Sequence, residues 1–167
     1  MPSPNGDTQQ AVTALYQDHA LGLTRIALLM LGDRADADAV VQDAFLGLYR
    51  RWDKIGDSDK ALAYARSSVL NGCRDVLRKR SRKLPVALVD VNMESAEARA
   101  LLGEEHREVL TALRHLPDRQ REAVVLRHCL GLPEAEVAAA MNVSRGTVKS
   151  TCHRGLATLA KLLKEDQ

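Results

Sequence analysis

The stretch from Pro133 to Leu163 constrains this chain more than any other. It reads as a short helix, a tight turn and a longer helix whose start is Val143-Ser-Arg-Gly-Thr-Val-Lys-Ser150. From Met141 to Lys161 the bases are Arg145, Lys149, Arg154 and Lys161, with no Asp or Glu among them. At about 100° per residue, Val148, Cys152, Leu156, Leu159 and Leu163 share one arc. Thr147, Ser150, Arg154, Thr158 and Lys161 lie opposite, and Lys149 and His153 flank one edge. Such a helix packs by its apolar back and offers cations and hydroxyls to phosphates and base edges. Ser144 is placed as its N-cap, which leaves the Gly146 and Thr147 amides for a phosphate at the helix start. Asn142 stands where the turn needs a positive φ. A helix-turn-helix is the local fold that satisfies all of this.

The rest of the chain reads as helical too. Hydrophobic residues make up 46% of the 167 positions but aromatics only 3%, so the core is built from Ala, Leu and Val. No run of apolar residues is long enough to cross a membrane, and the N-terminus lacks the blocks of a signal peptide. Residues 1–9 read as a disordered tail. Helices are expected at about Gln10–Leu31, Arg34–Trp52, Lys60–Arg80, Glu104–His115, Asp118–Leu130, Pro133–Met141 and Arg145–Leu163. The expected class is all-α. Two small domains, 10–83 and 104–165, are joined by a flexible acidic linker at 84–103.

Charge is segregated along the chain. The net charge of +2 conceals seven bases and one acid in 61–83, and two bases and six acids in 84–110. Two basic zones separated by an acidic one imply two nucleic-acid contacts. In the third helix Ser67, Asn71, Arg74 and Arg78 form a polar stripe opposite Leu62, Ala65, Val69, Cys73 and Val76. In the second, Asp36, Asp38 and Asp43 leave the exposed side acidic. Cys73, Cys129 and Cys152 each fall on an apolar stripe and read as free buried thiols of a reducing, cytoplasmic compartment. His128-Cys129 and Cys152-His153 lack metal-ligand spacing, so no metal or other cofactor is expected. No nucleophile–base pair or phosphate loop suggests an enzyme. Two rivals stay open on residues alone: a stand-alone helix-turn-helix regulator, and a metal- or redox-responsive protein using the three cysteines.

Residues 132–156 resemble the promoter-reading helix-turn-helix of bacterial sigma factors, and Leu116–Arg127 resembles the segment preceding it. Val40-Val-Gln-Asp-Ala-Phe-Leu46 resembles the polymerase-binding helix of extracytoplasmic-function (ECF) sigma factors of the sigma-70 family. Tyr64 and Asn71-Gly-Cys-Arg-Asp-Val-Leu-Arg-Lys-Arg80 resemble their −10 reading helix. The chain looks most like the SigE-like actinobacterial group. The resemblance implies promoter recognition and melting as a subunit of bacterial core RNA polymerase. Its partners would be the β′ clamp helices, the β flap, promoter DNA and an anti-sigma factor.

The resemblance also implies roles for individual residues. Asp38, Gln42, Asp43 and Leu46 would dock on β′, with Asp38 and Asp36 standing in for the Asp the family often has at Ala39. Gly56, Asp57 and Ser58 would form the pocket for a flipped-out −10 base, and Asn71, Arg74 and Arg78 would track the non-template strand. Gly146, Thr147, Lys149, Ser150, His153 and Arg154 would meet the −35 element. Thr151 replaces an Arg frequent in the family, and Pro133 replaces its usual Ser cap.

Overall fold

The computed structural model describes residues 4–83 and 107–165; the linker at 84–103 and the first three residues of the tail lie outside the described residues. All secondary structure among the described residues is helical. The chain divides into two compact units, with the division at Asp90–Val91.

The N-terminal unit is built on three long helices, α1 (Pro4–Leu31), α2 (Arg34–Arg50) and α4 (Ser58–Lys83), with one turn of helix, α3 (Trp52–Ile55), between the last two. The expected tail is partly helix: α1 starts at Pro4, not Gln10. Proline fits a helix start, where its missing N–H would have had no partner, and Asp7 in the first turn complements the helix dipole. Asp33 caps α2, its carboxylate accepting from the Asp36 amide at 2.9 Å. The long helices pack on one another pairwise. Leu28, Met30 and Leu31 of α1, Leu48 of α2 and Val69 and Leu70 of α4 are fully enclosed between them. Each such side chain is worth about 1.5–3 kcal/mol by its burial. Arg80, near the end of α4, donates to the Leu31 carbonyl at 2.7 Å and pairs with Asp36, tying α4 to the α1–α2 turn.

The C-terminal unit contains α5 (Arg107–Arg114), α6 (Asp118–Val124) with a π-helical continuation at Val125–Cys129, α7 (Glu134–Met141) and α8 (Arg145–Glu165). The sequence predicted one regular helix over 118–130. The pitch instead widens, and the Leu130 amide reaches back five residues to the Val125 carbonyl at 3.0 Å. That rotates the apolar stripe away from Cys129, which is exposed rather than buried; Cys73 and Cys152 are buried as expected. Helix α8 lies on α5, α6 and α7, over a core of Leu113, Leu116, Val125, Leu126, Val137 and Val148.

Among the described residues of this unit two charges are buried, Arg121 and Glu122, and both are paired. Arg121 binds Asp118 at 2.9 Å, and Glu122 accepts from Arg119 at 3.0 Å. Arg119 also donates to the Met141 carbonyl at 2.9 Å, bracing α6 against the end of α7. Breaking such a pair leaves a buried charge uncompensated, which is strongly destabilising.

Candidate nucleic-acid interface

The turn between α7 and α8 has the geometry the sequence required. Asn142 caps α7 in the left-handed region, at φ 56° and ψ 48°. Ser144 caps α8, its hydroxyl oxygen accepting from the Thr147 amide at 3.1 Å. This corrects one expectation: the cap consumes the Thr147 amide, so that group is not left for a phosphate. Pro133 precedes α7 as its N-cap, not as its first helical residue, and makes no side-chain cap bond.

One side of α8 is polar and open to solvent. Gly146, Thr147, Lys149, Ser150, His153 and Arg154 are all exposed. They are brought together by one helix whose back is fixed to the unit. That back differs from the expected arc. Thr151, Cys152, Gly155 and Leu159 are buried with Val148, whereas Leu156 is 42% exposed. A Cβ on Gly155 would stand 2.7 Å from Val124 Cγ2 and 3.4 Å from the Gln120 carbonyl oxygen, so this is where α8 comes closest to α6. The crossing at a glycine centres the buried arc on 148, 151, 152, 155 and 159 and turns Leu156 out. Thr151 therefore faces the interior of the unit. Burial raises the Cys152 thiol above its ordinary pKa, with Arg127 lowering it and Glu134 raising it.

The polar stripe on α4 is present but more self-engaged. Ser67, Asn71 and Arg78 are exposed and Arg74 is half-buried. Arg74 donates to the Asn71 side-chain oxygen at 2.8 Å, and Arg78 pairs with Asp75 on the same helix. The loop ahead of α4 is shorter than expected. It comprises Gly56 and Asp57 only, because Ser58 already begins the helix. Gly56 closes α3 at φ 63°, a conformation a side chain would strain, and its amide donates to the Trp52 carbonyl at 2.9 Å. The Asp57 carboxylate accepts from the Asp59 amide at 3.0 Å. Arg51 lies 5.9 Å over the Tyr64 ring, tying the end of α2 to α4.

On α2, Gln42, Asp43 and Leu46 are exposed together, while Asp38 is half-buried and chelated by Arg34 Nε at 3.0 Å to each carboxylate oxygen. With Asp36 held by Arg80, the acidic face reduces to Asp43 as the acid without a cation in reach, among the described residues. Beside it runs a groove of about 430 Å³, lined by Val12, Thr13 and Tyr16 of α1 and Gln42, Phe45, Leu46 and Tyr49 of α2. Tyr16 packs edge-on to Phe45 at 5.0 Å, and Tyr16, Leu46 and Tyr49 are 44%, 54% and 40% exposed. Sequence reasoning missed Tyr16 and Tyr49. Three of the five aromatic residues of the chain, Tyr16, Phe45 and Tyr49, line this one groove, but they come together only through the packing of α1 on α2.

Known proteins match both units. The family model for Sigma-70 region 2 matches residues 15–83, and that for Sigma-70, region 4 matches residues 106–159. The RNA polymerase sigma-E factor of Streptomyces avermitilis is 38% identical over 148 residues, 85% of this chain and 79% of that protein. The ECF RNA polymerase sigma factor SigM of Mycobacterium tuberculosis is 35% identical over 153 residues, 92% of this chain and 77% of that one. Among solved structures, CnrH in complex with the cytosolic domain of CnrY is similar at TM-score 0.72 and 28% identity, covering 95% of this chain and 91% of that one.

Proposed function

The chain belongs to the extracytoplasmic-function group of sigma-70 factors, subunits that direct core RNA polymerase to promoters, and on that footing we propose a division of labour among its exposed faces. Helix α8 grips the −35 duplex through Gly146, Thr147, Lys149, Ser150, His153 and Arg154. Helix α4 and the loop before it hold the melted −10 strand through Gly56, Asp57, Ser58, Asn71, Arg74 and Arg78. The α2 face docks on the β′ clamp helices through Asp38, Gln42, Asp43 and Leu46, with Tyr16 and Tyr49 extending that contact along the groove. The C-terminal unit also meets the β flap. The protein works in the cytoplasm, carries no catalytic group of its own and is restrained by an anti-sigma factor.

One observation carries this reading. Region 2 and region 4 occur in order in one chain, and each presents a cation-bearing helix face. A stand-alone regulator would leave the polar stripe of α4 and the apolar groove beside α2 without a use. Exposed aromatic and aliphatic side chains gathered in a groove fit a protein partner. The complex of the similar CnrH with the cytosolic domain of CnrY supports a protein partner besides the polymerase.

The test uses the full chain with bacterial core polymerase. The two should co-elute and open promoters from the source genome. Failure of both would overturn the reading. A Leu46→Glu variant should lose co-elution while keeping its fold.

A further inference from the structure

One acid from outside α8 reaches its cationic face. Lys149 Nζ lies 3.9 Å from Glu134 Oε2, and Lys149 is the only cation of α8 with a carboxylate within 4 Å, among the described residues. Glu134 opens α7, where the helix dipole favours its charge, and its side chain is only 31% exposed. Its field also reaches Cys152, one turn beyond Lys149 on α8. Glu134 therefore stands over the first two turns of the recognition helix from a fixed position, while the Lys149 side chain, 68% exposed, is free to swing.

We propose that Glu134 moderates DNA affinity: it holds the Lys149 ammonium as an internal substitute for a DNA phosphate and so lowers the affinity of α8 for duplex of any sequence. The inference rests on the placement of α8 on DNA. A lysine is a mobile point charge that adds to binding wherever a phosphate comes within reach, whatever the sequence. Pairing it with a carboxylate weakens that indiscriminate contribution. On DNA, Lys149 exchanges Glu134 for a phosphate, and the cost of leaving Glu134 is subtracted from the gain of the new contact. That cost is set inside the protein, so it weakens promoter and non-promoter duplex alike.

The experiment compares wild type, Glu134→Gln, Lys149→Ala and the double variant, each as full chain bound to core polymerase. Affinity is measured for a promoter duplex and for a random duplex across a range of salt. The expected result is that Glu134→Gln binds random duplex about threefold more tightly, with a salt slope steeper by up to about 0.9, and gains at least as much on the promoter. In the Lys149→Ala background the same change should have no effect. Unchanged binding in Glu134→Gln, with Lys149→Ala weakened, would overturn the proposal alone. An equal gain with and without Lys149 would overturn it too, because Glu134 would then act by repelling DNA directly. If Lys149→Ala itself binds as wild type, the placement of Lys149 on DNA fails and the proposal falls with it. Glu134→Gln keeps the side-chain shape, and its melting curve should match that of the wild type.

Discussion

Helices α4 and α8 both carry cations on an exposed face, but they hold them differently. On α4 the arginines of the stripe and its end are already engaged: Arg74 by Asn71, Arg78 by Asp75, and Arg80 by the Leu31 carbonyl and Asp36. On α8, Arg145, His153 and Arg154 are exposed, and no carboxylate lies within 4 Å of them, among the described residues. The difference teaches what each face can do unaided. A phosphate meeting Arg145, His153 or Arg154 displaces water alone, and among the described residues of α8 only Lys149 must leave a carboxylate. A strand meeting α4 must also displace an internal partner, so its net gain per contact is smaller. On the proposed reading, α8 can find duplex early, whereas α4 works on a strand that the polymerase has already brought to it.

The comparison breaks most completely if one end is unfolded. Valine at Gly155 would put its Cβ 2.7 Å from Val124 Cγ2, a buried β-branched side chain with little room to turn, with the Gln120 carbonyl oxygen already at contact distance on the other side at 3.4 Å. Overpacking of this kind costs about 1–3 kcal/mol, and the added methyls put Gly155→Val at the upper end. Urea unfolding should show the C-terminal unit melting earlier. Binding to a −35 duplex should fall sharply, while co-elution with core polymerase through α2 persists. Loss of both together would mean that the two units do not fold independently.

Next in size is Arg154→Ala. An arginine on a base edge is worth about 1–3 kcal/mol, so −35 duplex affinity should drop roughly tenfold or more. Once the complex is saturated with holoenzyme, the opening rate should be near wild type. Asn71→Ala should do the reverse at about 1 kcal/mol, leaving closed binding intact and slowing opening. Permanganate reactivity of unpaired thymines reads opening, and a gel shift at low temperature reads closed binding. If both variants affect both steps equally, the helices share one task and the contrast between them has no functional meaning.

How much of this was legible in the sequence differs between the same two helices. The cationic face of α8 was readable in full, because exposed residues at helical spacing need no knowledge of what lies behind them. Its buried face was misread at Leu156 and Thr151. Hydrophobicity marked the leucine, but the axis of packing is set by Gly155, and a glycine crossing leaves no hydrophobic signal. Cys129 was misplaced for a related reason: a π turn shifts every later residue around the helix, and periodicity assumes a constant pitch. On α4 the stripe was legible, but its internal pairing was not. Asp75 lies three residues before Arg78 and was counted only in the net charge. Tyr16 and Tyr49 meet only after α1 and α2 are packed, so no single helix announces their groove.

The smallest effect is the sharpest probe of the contrast, because it converts α4 toward α8 at one residue. Asp75→Asn removes the partner of Arg78 without shortening the side chain. The pair is exposed on both sides, at 66% and 59%, so its loss should change stability by less than about 1 kcal/mol. Freed, Arg78 should add close to one phosphate contact. The expected result is two- to threefold tighter binding of the holoenzyme to a −10 non-template oligonucleotide, with a salt slope steeper by about 0.7. Binding to a −35 duplex should not change, since Arg78 lies in the other unit. If the oligonucleotide binds no better, the pairing of Arg78 is not what weakens this face, and the cause lies in the shape of the strand path. If binding tightens but the slope stays fixed, the gain comes from removing the repulsion of Asp75, and Arg78 does not touch the strand. Only the joint change in affinity and slope supports the view that α4 keeps its cations in reserve while α8 leaves them exposed.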